Sequence, residues 1–207
     1  MTRPIARRDL LIMAAAALAA APAVAQTDEK PLEERGYALG DMTMGDPNAP
    51  VTIIEYASLT CGHCARFHVE TLPEIKKTYI DTGKARLVFR EVYFDQYGLW
   101  AGMVARCGGE GPYFGYVDTM LRRQREWAGA SDIVGELQRI GRLGGLSAER
   151  LNACLSDEAL MTRLVEDFQK TAGADEINAT PTFIINGEKV SGAIGVQEMS
   201  ALIDKHL

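Results

Sequence analysis

The sequence is short of positive charge, poor in cysteine, and has no long apolar run beyond its first 25 residues. Lys and Arg number 22 against 28 Asp and Glu, for a formal charge of −6. A nucleic-acid binder normally presents a basic face, so that class is set aside. Four cysteines in 207 residues are too few for a disulfide-dense mini-protein. No internal repeat and no low-complexity tract follows residue 25, which excludes solenoids and collagen-like chains. What is present, 47% hydrophobic and 24% charged residues, is the composition of a globular protein of one domain, with room for an insertion.

Residues 1–25 read as a signal peptide. Arg3, Arg7 and Arg8 make a basic start, an apolar Ala-rich run extends from Leu10 to Ala25, and Ala23-Val24-Ala25 is a small-residue cleavage site. The run is shorter than the roughly 20 residues of a membrane span, although a retained anchor is the alternative. Arg7-Arg8 allows twin-arginine export as well as the Sec route. No cysteine stands at the cleavage site, which argues against a lipoprotein. Export would carry all four cysteines to a compartment where disulfides persist.

Residues 26–37 are polar and read as a loose lead-in, with a first strand expected near Ala38-Leu39. Val51–Tyr56 is β-branched and aromatic and predicts a strand. A helix is expected from the first cysteine pair to about Tyr79, kinked at Pro73. Ala85–Phe94 predicts a second strand. Helical spacing then dominates, with Ser131, Ser147 and Ser156 as expected N-caps. Thr182–Ile185, the turn Asn186-Gly187 and Lys189-Val190 predict a hairpin, and Val196–Lys205 a last helix. The order is β-α-β, a helical block, then β-β-α, an α/β arrangement with a helical insertion.

Cys61-Gly62-His63-Cys64 follows a strand and opens a helix. Unpaired N–H groups and the positive end of the helix dipole favour an anion there. Cys61 should therefore ionise below about 8.5 and act as a nucleophile or a leaving group. Cys64 is placed to close the ring and should be more buried, and His63 can offer an N–H or a positive charge to the Cys61 sulfur. Zinc is the alternative, but it usually wants a second pair or properly spaced histidines. No second C-x-x-C exists, and His68 adds one ligand at best. His68 reads better as a partly buried helix residue.

The strand Val51–Tyr56, the Cys61-Gly62-His63-Cys64 helix start and Thr180-Pro181-Thr182-Phe183 together resemble a thioredoxin fold. With the inserted helices, the chain resembles the DsbA family of periplasmic thiol:disulfide oxidoreductases. The resemblance implies a thioredoxin-like domain over residues 38–94 and 175–207, with an inserted helical domain over 95–174. It makes Cys61 the substrate-linked cysteine, Cys64 the resolving one and Pro181 a cis-proline that presents the backbone of Thr180 to substrate. Glu55 matches a buried acid that moves protons for the second cysteine; the alternative is a solvent-facing strand residue. Gly62 departs from the Pro-His dipeptide common in the family, yet leaves the helix start open to substrate. Gly62 and Thr180 both leave the direction of reaction open between oxidase and isomerase or reductase.

The family setting implies unfolded exported proteins as substrates, a DsbB-like membrane quinone reductase as partner, and a location in the periplasm. No metal or cofactor is expected beyond the Cys61–Cys64 disulfide. The short stretch before the first strand leaves little room for a dimerisation segment, so a monomer is expected. Cys107 and Cys154 are expected to form a structural disulfide, with two buried free thiols as the alternative. In the chain-entropy model such a bridge contributes about 4 kcal/mol. A binding module without catalysis is the remaining reading, and it would keep its function after Cys61→Ala.

Overall fold

The computed structural model describes residues 30–207, so the expected signal peptide lies outside the described residues. Five strands form one sheet: β1 (Met42–Met44), β2 (Val51–Ala57), β3 (Ala85–Glu91), β4 (Thr182–Ile185) and β5 (Glu188–Ser191). Their order is β1-β3-β2-β4-β5. The central pair β2–β3 is parallel, and the other pairings are antiparallel. Between β2 and β3 runs a helical stretch: α1 (Gly62–Arg66), a π turn (Phe67–Thr71), α2 (Leu72–Ile75) and a second π turn (Lys76–Ile80). Six helices separate β3 from β4: α3 (Gln96–Cys107), α4 (Glu110–Arg122), α5 (Gln124–Trp127), α6 (Ile133–Leu143), α7 (Ala148–Leu155) and α8 (Glu158–Ala174). The last helix is α9 (Val196–Asp204).

Strand alternation explains the layers. Val51 and Ile53 of β2 point to one face and pack with Phe67, Ile75, Met199 and Ile203, so the 62–80 stretch and α9 cover that face. Ile54 and Tyr56 point to the other, against Phe168 and Ala172 of α8. Trp127, Tyr113 and Met120 centre a further core that the inserted helices share with Ala57, Leu59 and Phe89.

Pro73 sits in the first turn of α2, directly after a π turn that closes with the Leu72 N–H on the Phe67 carbonyl. Proline has no N–H to offer the carbonyl four residues back, and the wider turn accommodates the gap where a kink was expected. Two expected N-caps move by one residue. Asp132 and Asp157 accept from the Gly135 and Leu160 N–H groups, because a carboxylate satisfies the donor and also meets the helix dipole. Ser147 caps α7. At the hairpin, Asn186 and Gly187 both have positive φ, 44° and 97°, as a tight two-residue turn requires. Asn186 also accepts from the Thr52 N–H at 2.9 Å and so ties the turn to β2.

The first strand does not lie at Ala38-Leu39. Ala38 donates its N–H to the Arg106 carbonyl at 2.9 Å, and the Arg106 guanidinium bonds the Ala38 and Gly40 carbonyls at 2.8 and 3.1 Å. The backbone there is satisfied by α3, and pairing with β3 starts only at Met42. Arg106 also forms a buried two-point ion pair with Glu91. The described part of the lead-in is tied down rather than loose: Arg35 and Tyr37 bond Asp157 at 2.7 and 2.9 Å.

Candidate active site

Cys61 is the N-cap residue of α1, with extended backbone, and its own N–H bonds the Ser58 carbonyl at 3.1 Å. It is half-buried, while Cys64, one turn on, is fully buried; both are free thiols. Across from them the Thr180-Pro181 peptide is cis. The Cys61 thiol donates to the Thr180 carbonyl at 3.4 Å, so the two stretches of chain meet at the reactive sulfur.

This setting separates the two sulfurs. The hydrogen bond from the Cys64 thiol does most to lower the Cys61 pKa, to about 5. The Thr180 side chain and the backbone N–H groups of Cys64 and His63 add to it, against the cost of burial. Cys64 moves well above the ordinary thiol range, through its hydrogen bond to Cys61, its burial and the negative charge of Glu55. At neutral pH the arrangement holds a thiolate at the surface over a proton-bearing sulfur beneath it.

Glu55 is fully buried on the face of β2 that carries Val51 and Ile53, so alternation puts it inward. His68 Nε2 lies 3.0 Å from each of its carboxylate oxygens. His63 Nδ1 meets Arg66 at 2.6 Å, and the bond that His63 gives Cys61 comes from its backbone N–H. The expected side-chain contact with Cys61 is thus replaced by the His63 backbone N–H, since the side chain of the second helical residue projects away from the cap. Gly62 opens the helix, where an added Cβ would come within 3.9 Å of Gln124. Cys107 and Cys154 are joined in a disulfide between α3 and α7, with Cα atoms 6.1 Å apart.

The thioredoxin family model matches residues 38–205. A Rickettsia bellii protein named as a protein-disulfide oxidoreductase is 32% identical over 89% of this chain and 73% of its own length. Its Rickettsia conorii counterpart is 35% identical over 81% of this chain, which spans only 60% of that protein. The crystal structure of Wolbachia pipientis alpha-DsbA1 superposes with a TM-score of 0.75 at 35% identity, over 81% of this chain and 90% of that one. The chain belongs to the DsbA-like family of thiol:disulfide oxidoreductases. Its fold is the thioredoxin fold with helices inserted between β3 and β4.

One residue of this DsbA-like site, Gln124, carries no signal in the sequence, and a second, His68, gains a partner there. Gln124 is buried and donates through Nε2 to the carbonyls of Leu59 and Cys61, at 2.8 and 3.0 Å, bracing the loop that leads into the helix. Nothing in the sequence links α5 to that loop. His68, expected as a partly buried helix residue, is buried in the 62–80 stretch, and only its bond to Glu55 was not expected; its spacing of four residues after Cys64 is the available signal. Among the described residues, no helix is long and apolar enough to cross a membrane.

Proposed function

We propose that this DsbA-like chain is a disulfide oxidase of the periplasm, reached by a Tat or Sec signal in residues 1–25. It would pass the Cys61–Cys64 disulfide to the thiols of unfolded exported proteins. The observation that carries this reading is the placement of Cys61, half-buried at the N-cap of α1 over fully buried Cys64, a setting that lowers its pKa to about 5. A stabilised thiolate favours the reduced form of the protein, and that makes its disulfide a strong oxidant.

The exchange runs in two displacements. A substrate thiolate attacks Cys61 Sγ, forming a substrate–Cys61 bond and breaking Cys61–Cys64; Cys64 receives the electron pair and a proton. A second substrate thiolate then attacks the substrate sulfur of the mixed disulfide, and Cys61 leaves as thiolate. The substrate loses two electrons and two protons. One proton stays on Cys64 and the other goes to water. The half-buried Cys61 beside the Thr180 carbonyl suits an extended peptide that pairs with that backbone. A DsbB-like quinone reductase in the membrane would restore the disulfide, and the protein would act as a monomer that needs no metal or cofactor.

Equilibration with glutathione tests the direction. An oxidase should settle at about −180 mV or higher. A value near −270 mV, the range of thioredoxin, overturns the oxidase reading. Efficient repair of a scrambled substrate would favour the isomerase instead.

A further inference from the structure

Cys64 must gain a proton each time its disulfide opens and lose one each time it closes, yet it is fully buried. While a substrate is attached to Cys61, the outer side of the pair is covered as well. The structure offers another way in. Glu55 is 0% exposed and lies beside the ring of His68, which is 3% exposed. That ring is fixed edge-on between Phe67 and Phe89, at centroid distances of 5.8 and 5.5 Å. Both of its bonds to Glu55 use Nε2, so Nδ1 remains for water. His68 is also a wall of a partly open cavity of about 290 Å³, whose lining includes exposed Pro73 and Arg122 and none of the residues around Cys61 or Thr180.

We propose that His68 is a positioning residue that orients Glu55 and connects it to solvent through this cavity, so that the proton exchanged by Cys64 travels by way of Glu55 and His68. When the disulfide opens, Glu55 gives a proton to the Cys64 sulfur. His68 takes one from water at Nδ1 and returns one to Glu55 from Nε2. When the disulfide closes, the path runs backward. No electrons move along it; they stay with the sulfur displacements. Glu55 and Cys64 are both fully buried, and the negative charge of Glu55 adds to the burial that holds the Cys64 thiol above its ordinary range. His68 lies in a π turn, a helix irregularity that recurs at functional sites. The charged groups around His68 are Glu55 from β2, which bonds its ring, and on the cavity wall Asp118 and Arg122 from α4, which pair with each other at 2.8 Å, and Lys76, which pairs with Asp81. β1 and β3 bring only Met44 and Phe89.

The proposal rests on Cys61–Cys64 exchanging disulfides, so its test uses dithiothreitol, which does not depend on the physiological direction. Reduction of the oxidised full chain is followed by stopped flow through thiolate absorbance, across pH. His68→Gln keeps a donor for Glu55 but cannot relay a proton. It should slow reduction roughly a hundredfold, the low end for a positioned acid–base group, and remove one inflection from the pH–rate profile. Imidazole should restore the rate of His68→Ala by entering the cavity, which a purely structural role would not produce. An unchanged rate and profile in His68→Gln overturns the relay and leaves the oxidoreductase reading standing. Failure of the unaltered protein to react with dithiothreitol sinks that reading itself. Should the variants not fold, the unaltered protein decides: reduction should be slower in D2O with the dithiol held as thiolate, and equal rates overturn the proposal.

Discussion

Replacing Cys64 with Ala isolates the interaction that keeps Cys61 ionised. The Cys61 pKa falls from the ordinary thiol range to about 5, and the largest contribution is the hydrogen bond from the Cys64 thiol. A hydrogen bond to a charged group contributes about 1.5–3 kcal/mol. At 1.36 kcal/mol per pH unit, its loss should raise the midpoint by roughly 1 to 2 pH units. The thiolate of Cys64→Ala should then appear at about pH 6–7, read as absorbance at 240 nm. A midpoint that stays at about 5 would refute the reasoning and leave the helix terminus and the Thr180 side chain as the cause. The same shift sets a stability difference. Because folding lowers this pKa, reduced protein gains stability as pH rises from about 5 toward the unfolded cysteine value near 8.5. Acidification through pH 5 removes the gain. The full shift corresponds to about 5 kcal/mol; Cys61 is only half-buried, and water screening lowers this to about 2–3 kcal/mol. The disulfide form has no thiolate to stabilise. The melting temperature of reduced over oxidised protein should therefore widen between pH 5 and 8.

Three further outcomes follow from the packing. Arg106→Ala strands Glu91 in the core and frees the carbonyls of Ala38 and Gly40, which should cost about 3–5 kcal/mol in denaturant titration; Arg106→Met with Glu91→Leu should cost clearly less. Gln124→Ala leaves the Leu59 and Cys61 carbonyls unpaired, for a loss of about 1–3 kcal/mol and faster amide exchange in residues 59–62. Replacing Cys107 and Cys154 together by Ser should lower stability by about 4 kcal/mol, measured in denaturant without reductant and with Cys61→Ala and Cys64→Ala in both proteins compared.

Much of the fold was legible because its signals are local. The β-branched run Val51–Tyr56 can hardly do other than form a strand, and Asn186-Gly187 meets the positive φ that a two-residue hairpin demands. One misplaced feature depends on a distant partner, and two on a local competition. Ala38-Leu39 has strand-like residues, but Arg106, far along the chain, satisfies its backbone. The caps at Asp132 and Asp157 were one residue away because serine and aspartate compete for the same role, and the aspartate gains from the helix dipole as well.

The site divides along the same line. A cysteine pair at the start of a helix after a strand determines by itself that one sulfur meets the backbone N–H groups and the other turns inward, since helical geometry sets both directions. The direction of Glu55 was open between core and solvent in the sequence, since both faces of Val51–Tyr56 carry apolar residues, and the structure puts it inward with Val51 and Ile53. Only the tertiary structure decided what surrounds those atoms. It brings Thr180 to Cys61 across 119 residues, Gln124 to the Cys61 carbonyl across 63, and the ring of His68 to Glu55. Ionisation and proton movement depend on charges and donors within a few ångströms, and that neighbourhood is set by how the sheet, the 62–80 stretch and the inserted helices close on one another.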